Sequence, residues 1–171
     1  MKIAIDAGHN CRPDNGCTGL RQEDVLAMAV SRKLIHYLTE AGLTTVWCTP
    51  TKVSSVSDSL RQRVNKANGA NVDYFFSIHF DCFNGKASGT GTFAMSSTGR
   101  KVGKAIVDEI AKLGYINRGV KDGSHLFVVK NTDAPAVLIE CCFCDNERDI
   151  ANLDIDDMAR AISKGIISSI T

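Results

Sequence analysis

Short apolar runs that stop abruptly at polar residues restrict this chain more than any other feature. Lys2-Ile3-Ala4-Ile5-Asp6 leads into Gly8-His9, Tyr74-Phe75-Phe76-Ser77-Ile78 ends on His79, and Ala136-Val137-Leu138-Ile139 ends on Glu140. Runs of this length read as strands buried on both faces. Segments of helical period lie between them. Val25, Leu26, Ala29, Val30, Leu34, Tyr37 and Leu38 recur at helical spacing over residues 22–41, with Gly42 as the stop. Leu60, Val64 and Ala67 mark the inner face of a second helix, capped by Ser57 or Asp58 and ended by Asn68-Gly69. Val102, Ile106, Ile110 and Leu113 are in phase over residues 98–113, and Met158, Ala161, Ile162 and Ile166 line a final helix. Further strands are expected at residues 43–49, 90–95 and 126–129. Alternating strands and helices predict an α/β fold: one domain over residues 1–171, with a mostly parallel sheet flanked by helices on both faces. The short pieces at Thr90 and Leu126 can run antiparallel, so the sheet is expected to be mixed.

The chain has 171 residues, enough for one real core. A formal net charge of +1 carries no polyanion-binding signature, so nucleic acid is not expected as a partner. No apolar stretch is long enough to insert in a membrane, and no obligate protein partner is called for. The N-terminus enters a strand at once and lacks the apolar core and cleavage site of a signal peptide, so synthesis in the cytoplasm is expected. Seven cysteines, an odd number, argue against a complete disulfide framework.

Ligand sites of open α/β sheets lie beyond the carboxyl ends of the strands. Three of the runs deliver two imidazoles and a carboxylate there. Two histidines and one glutamate form a known zinc set, and Glu23, at the start of the first helix, completes it with His9 and His79. Gly8 permits a tight turn before His9. The net positive charge of such a site acidifies a bound water and polarises a carbonyl. Glu140, at the end of an interior strand, can take a proton from that water and hand it to a leaving amine. Each residue alone has an ordinary reading. A strand-end histidine is commonly structural, and a glutamate at a helix start is favoured by the macrodipole. Their coincidence points to metal-assisted hydrolysis.

The surrounding residues sharpen this. Ile5-Asp6-Ala7-Gly8-His9 resembles the Asp-Pro-Gly-His opening of the zinc-dependent N-acetylmuramoyl-L-alanine amidases of the amidase-3 type. Glu23 falls at that family's interval. Arg63-Val64-Asn65-Lys66-Ala67-Asn68 with Ser77-Ile78-His79, Arg118-Gly119-Val120-Lys121, and Pro135 to Glu140 followed by Phe143 and Asn146 resemble further family segments in the same order. The wording Glu-Cys-Cys-Phe-Cys-Asp-Asn is most similar to amidase domains of phage endolysins. The resemblance implies one zinc ion held by His9, Glu23 and His79, with Glu140 as acid/base. It implies bacterial peptidoglycan as the partner, cleaved between N-acetylmuramic acid and L-alanine, and action on the cell wall in host lysis or autolysis. Ala7 replaces the usual proline, and Asp81 stands where the family often has asparagine. Because ionised aspartate only accepts hydrogen bonds, a substrate contact at Asp81 differs in kind. Many relatives carry a wall-binding module. None is visible in these residues, so either a bare catalytic domain or docking through its own surface is expected.

Arg118 and Lys121 are candidates for stem-peptide carboxylates, with a merely solvated loop as the equal alternative. His125 is a candidate substrate contact before a strand, and His36 is expected to be exposed on its helix. Cys141-Cys142-Phe143-Cys144 contains a C-x-x-C that, with Cys11 and Cys17, is one conceivable metal set. Strand alternation points Cys141 and Cys142 to opposite faces, so buried free thiols are the expected state.

Overall fold

The computed structural model describes residues 1–170. Its strands are β1 (Lys2–Ala7), β2 (Thr44–Trp47), β3 (Tyr74–Asp81), β4 (Thr90–Ala94), β5 (Asn117–Asp122) and β6 (Ala136–Phe143). The helices are α1 (Glu23–Glu40), α2 (Val56–Gly69), α3 (Ser97–Ala111), α4 (Phe127–Asn131), α5 (Glu147–Ala151) and α6 (Ile155–Ile170). One six-stranded sheet has the order β2-β1-β3-β6-β4-β5. β2, β1, β3 and β6 run parallel, β4 is antiparallel to β6, and β5 is parallel to β4. The expected mixed α/β sheet is therefore what forms. None of the described helices is long and apolar enough to cross a membrane.

Period-two alternation sorts each strand between two cores. Ile3, Ile5, Phe76, Ile78, Val137 and Ile139 join Leu26, Val30, Leu34, Ile106, Ile162 and Ile166 of α1, α3 and α6 in the larger cluster. Ala4, Phe75, Ala136 and Leu138 face the other way, against Val64 and Ala67 of α2 and Val128 and Val129 of α4. The order in which strands are added reverses at β1. The chain leaves β1 for β2 on one side, while β3 lies on the other. This switch point opens a crevice at the carboxyl ends of β1 and β3.

Three local expectations need correction. Residues 126–129 are not a strand: Leu126 precedes the short helix α4. A four-residue apolar run does not distinguish strand from buried helix, and β6 is already paired on both sides, by β3 and β4. The apolar side chains instead cover the smaller core. The segment holding Arg118 and Lys121 is not a loop but edge strand β5, whose charged residues discourage pairing with another chain. The cap of α2 is Ser55 rather than Ser57 or Asp58: its hydroxyl accepts from Asp58 N at 3.1 Å, while the Asp58 carboxylate accepts from Ser54 N at 2.9 Å. Asp58 thus reaches back from inside the helix to the residue before the cap.

Helices α3 and α6 cross at Gly165, where an added Cβ would lie 2.6 Å from Ile106 Cα. Gly165→Ala should lower stability by about 1–3 kcal/mol in urea denaturation, because backbone must move to admit one methyl. Gly69→Ala, whose Cβ would meet nothing within 4 Å, should not lower it.

Candidate functional site

A buried cation organises the crevice before any candidate ligand is considered. Arg63 lies on the inner face of α2 with 1% of its surface exposed. Its guanidinium donates to the Asp6 carboxylate, to the carbonyl oxygens of Ala7 and His9, and to Asp14 Oδ2. Thr49 donates to Asp6 Oδ1 at 3.1 Å and Ser77 to Asp6 Oδ2 at 2.8 Å, and Ser59 donates to Asp14 Oδ2 at 2.6 Å. Two ionised carboxylates and one guanidinium thus satisfy one another where burial would otherwise be costly. The network grips the backbone on both sides of Gly8.

From that frame the two imidazoles acquire defined faces. His9 Nδ1 lies 2.8 Å from Asp14 Oδ1, to which it donates, and its Nε2 faces Glu23 Oε1, 3.4 Å away. The ring of His79 is reversed. Its Nε2 lies 3.1 Å from Ser77 Oγ, whose own proton goes to Asp6, so Nε2 donates and Nδ1 faces Glu23 Oε1 at 3.0 Å. Each ring is oriented by a carboxylate, directly for His9 and through a hydroxyl for His79. Glu23 is held in turn: its Oε2 accepts from Cys17 N at 3.0 Å and its Oε1 from Phe80 N at 3.2 Å. The donor atoms of His9, Glu23 and His79 all lie within 4.8 Å of one another, a group that can hold a metal ion. The spacing and the N, N, O donor set suit zinc.

Gly8 is required for a reason different from the one its sequence context suggests. The left-handed backbone belongs to His9 (φ 55°) and Asn10 (φ 63°), not to Gly8. The His79 ring rests against Gly8, and a Cβ there would be 2.3 Å from it.

Glu140 pairs with His79 across β3 and β6. Its Oε2 is buried with no hydrogen-bond partner among the described residues. Burial, opposed by His79 and reinforced by Asp81 and Glu23, pushes its pKa up to about 7. For His9, burial favours the neutral ring, but the Asp14 and Glu23 carboxylates outweigh it and raise the pKa to about 10. Burial opposes ionisation of Glu23 too, yet hydrogen bonds from His79 and His9 hold its carboxyl far below the ordinary range. Without a cation, the carboxylate and imidazolium charges compensate one another. A bound cation would take the place of the ring proton.

The remaining candidates are spread around this centre. His125 lines a 290 Å³ cavity together with His9, His79, Leu126 and Phe127. Asp81 lies close enough to raise the proton affinity of Glu140, and its Oδ1 accepts from Cys82 N at 2.8 Å. Arg118 stacks over the Phe143 ring at 4.9 Å, and Lys121 lies over Phe93 at 5.2 Å; neither lines that cavity. His36 is exposed, beside Glu40. Sequence reasoning assigned no role to Asp14, Ser59 or the Arg63 side chain. One signal was present: Arg63 falls in phase with Leu60, Val64 and Ala67, where a cation on an apolar helix face needs a buried partner.

Residues 3–171 match the family described as N-acetylmuramoyl-L-alanine amidase. The chain belongs to this family. It is 33% identical over 176 residues to the endolysin of Bacillus phage SPP1, covering 95% of this chain and 62% of that protein. It is 30% identical over 178 residues to the N-acetylmuramoyl-L-alanine amidase LytC of Bacillus subtilis strain 168, covering 97% of this chain and 35% of that one. The fold matches the catalytic domain of the CD27L endolysin targeting Clostridia Difficile with a TM-score of 0.90 and 22% identity, over 98% of this chain and 97% of that one. The chain spans about half the length of curated relatives it matches, 46% and 52% in two proteins of Clostridium perfringens.

Two outcomes are expected. Asp14→Ala frees the His9 ring, so zinc affinity measured by chelator competition should fall roughly 10–100-fold. In metal-free protein, Glu140 binds its proton more tightly folded than unfolded, so its contribution to stability declines as pH rises from 4.5 through about 7. Glu140→Gln should remove that decline. Relative to wild type, the variant should gain about 2–3 kcal/mol between pH 4.5 and 8 in urea titrations with chelator present.

Proposed function

We propose that this domain hydrolyses the amide between the lactyl group of N-acetylmuramic acid and the L-alanine of the peptidoglycan stem peptide. His9 Nε2, Glu23 Oε1 and His79 Nδ1 would hold one zinc ion, and Glu140 is the catalytic acid/base. The observation that carries this reading is the unpartnered, buried Glu140 Oε2 next to the three-ligand group. A stability role would give that oxygen a partner; a proton carrier needs it free until substrate and water arrive. Zinc, when bound, supplies the Lewis acid that activates water and polarises the amide carbonyl.

The chain's own residues do the rest. Glu140 accepts a proton from the attacking water and delivers it to the alanine nitrogen as the C–N bond breaks. Its burial suits this exchange, since a carboxyl with raised proton affinity can hold the proton between the two events. Asp14 and the Ser77–Asp6 pair keep the imidazole tautomers fixed. His125, on the cavity wall, contacts the substrate. Arg118 and Lys121 on the edge strand meet stem-peptide carboxylates, and Asp81 offers an acceptor to a substrate N–H. The enzyme acts on the bacterial cell wall, in host lysis or autolysis.

Glu140→Gln should keep its metal and lose about 10²–10⁴-fold in turnover on purified peptidoglycan. The product should carry a new free L-alanine amine on an otherwise intact stem. A cut between two amino acids would instead identify a peptidase on this fold, and normal turnover by the variant would remove Glu140 from the mechanism.

A further inference from the structure

Three of the seven cysteines direct their sulfurs at one another. Cys17 Sγ lies 3.3 Å from Cys144 Sγ, and the sulfurs of Cys17, Cys82 and Cys144 are all within 4.8 Å of one another. They are not the set that the C-x-x-C suggests. Cys141 lies in the main core, and Cys11 belongs to a small bridge with Asp14. Cys17 comes instead from the loop before α1, Cys82 follows β3 directly, and Cys144 follows β6 directly.

The convergence is built by the backbone. Strands β3 and β6 are neighbours with Asp81 opposite Phe143, so the residues just beyond them are adjacent. Cys144 N donates to Asp81 O at 2.8 Å, and Cys144 O accepts from Leu20 N at 2.9 Å, which fastens the loop carrying Cys17. Gly19 rests on Asp145 so closely that a Cβ would lie 2.6 Å from its Cα. A cysteine that serves only as a small core hydrophobe has no reason to seek other sulfurs. Here three do so, two of them only half-buried, from three separate segments.

We propose that Cys17, Cys82 and Cys144 form a second, structural metal site, which takes one zinc(II) ion. Zinc–sulfur bonds of about 2.3 Å place tetrahedral thiolates about 3.8 Å apart, within the spacing of this cluster. Three thiolates select a soft or borderline ion over magnesium or calcium. On binding, three S–H protons leave to solvent as three sulfur–metal bonds form, and the fourth position is left for water. No oxidant is involved. The site is a clamp on the proposed catalytic centre. Cys17 N–H holds Glu23, Cys82 lies three residues beyond His79, and Cys144 lies four beyond Glu140. One ion would therefore fasten all three segments.

Cobalt(II) separates the two sites spectroscopically, because only the cysteine cluster can give sulfur-to-cobalt charge transfer. The full chain, purified under reducing conditions and loaded with cobalt or zinc, should bind two equivalents and show near-ultraviolet charge-transfer absorption. Cys82→Ser and Cys144→Ser should each lose the band and one equivalent. His79→Ala should lose the other equivalent and keep the band. If the histidine–glutamate group does not bind metal, His79→Ala will match wild type while the band persists, so the two proposals fail separately. Absence of the band in the reduced wild-type chain overturns the cysteine site, whether or not the serine variants fold. A Cys17–Cys144 disulfide in the protein as isolated, two hydrogens lighter by intact mass and without a second equivalent after reduction, overturns it as well.

Discussion

The Arg63 guanidinium is the interaction on which the site depends. It is the largest polar side chain in the interior, and it bonds at once to the end of β1, to the backbone of His9 and to the carboxylate that orients the His9 ring. An isolated charge at such depth would be prohibitive. Asp6 and Asp14 make it tolerable, and Arg63 makes their burial tolerable in turn. A bidentate donor is what the geometry requires, since a lysine has no planar fork to span two carboxylates and two carbonyls. The crevice thus rests on a charged network rather than on apolar packing alone.

A division of labour follows from the order of the sheet. The parallel strands β1, β3 and β6 bring His9, His79 and Glu140 to one edge of the fold, and the first turn of α1 supplies Glu23. The two strands β4 and β5, which run opposite to the other four, add no member to the His9–Glu23–His79 group. They extend the sheet beyond Glu140 and present Arg118 and Lys121 on its border, each over an aromatic ring. Chemistry and recognition are therefore expected from different halves of one sheet.

Much of this was readable in the residues. Apolar runs gave β1, β3 and β6, and helical periodicity gave α1, α2, α3 and α6, because burial on a sheet or along a helix stripe leaves a regular imprint. His9, Glu23 and His79 were locatable because strand ends converge in this architecture. What periodicity does not encode was missed. Strand β5 is polar and owes its existence to pairing with β4, and Val128 and Val129 lie in α4 beside a β6 already paired on both sides. Asp14 and Ser59 lie in contexts that look like any loop or helix start, and only their contacts with Arg63 and His9 distinguish them. The C-x-x-C misled for a related reason: closeness along the chain said nothing about which sulfurs meet across β3 and β6.

The register of β3 between β1 and β6 has a consequence for how such a domain matures. Ile3 pairs beside Tyr74, and His79 beside Glu140, so the crevice draws on both ends of the polypeptide. Such distant pairings are closed late and at an entropic cost. A nascent or clipped chain that stops short of β6 can present both imidazoles but not Glu140. The full constellation is therefore withheld until almost the entire domain has been synthesised and folded.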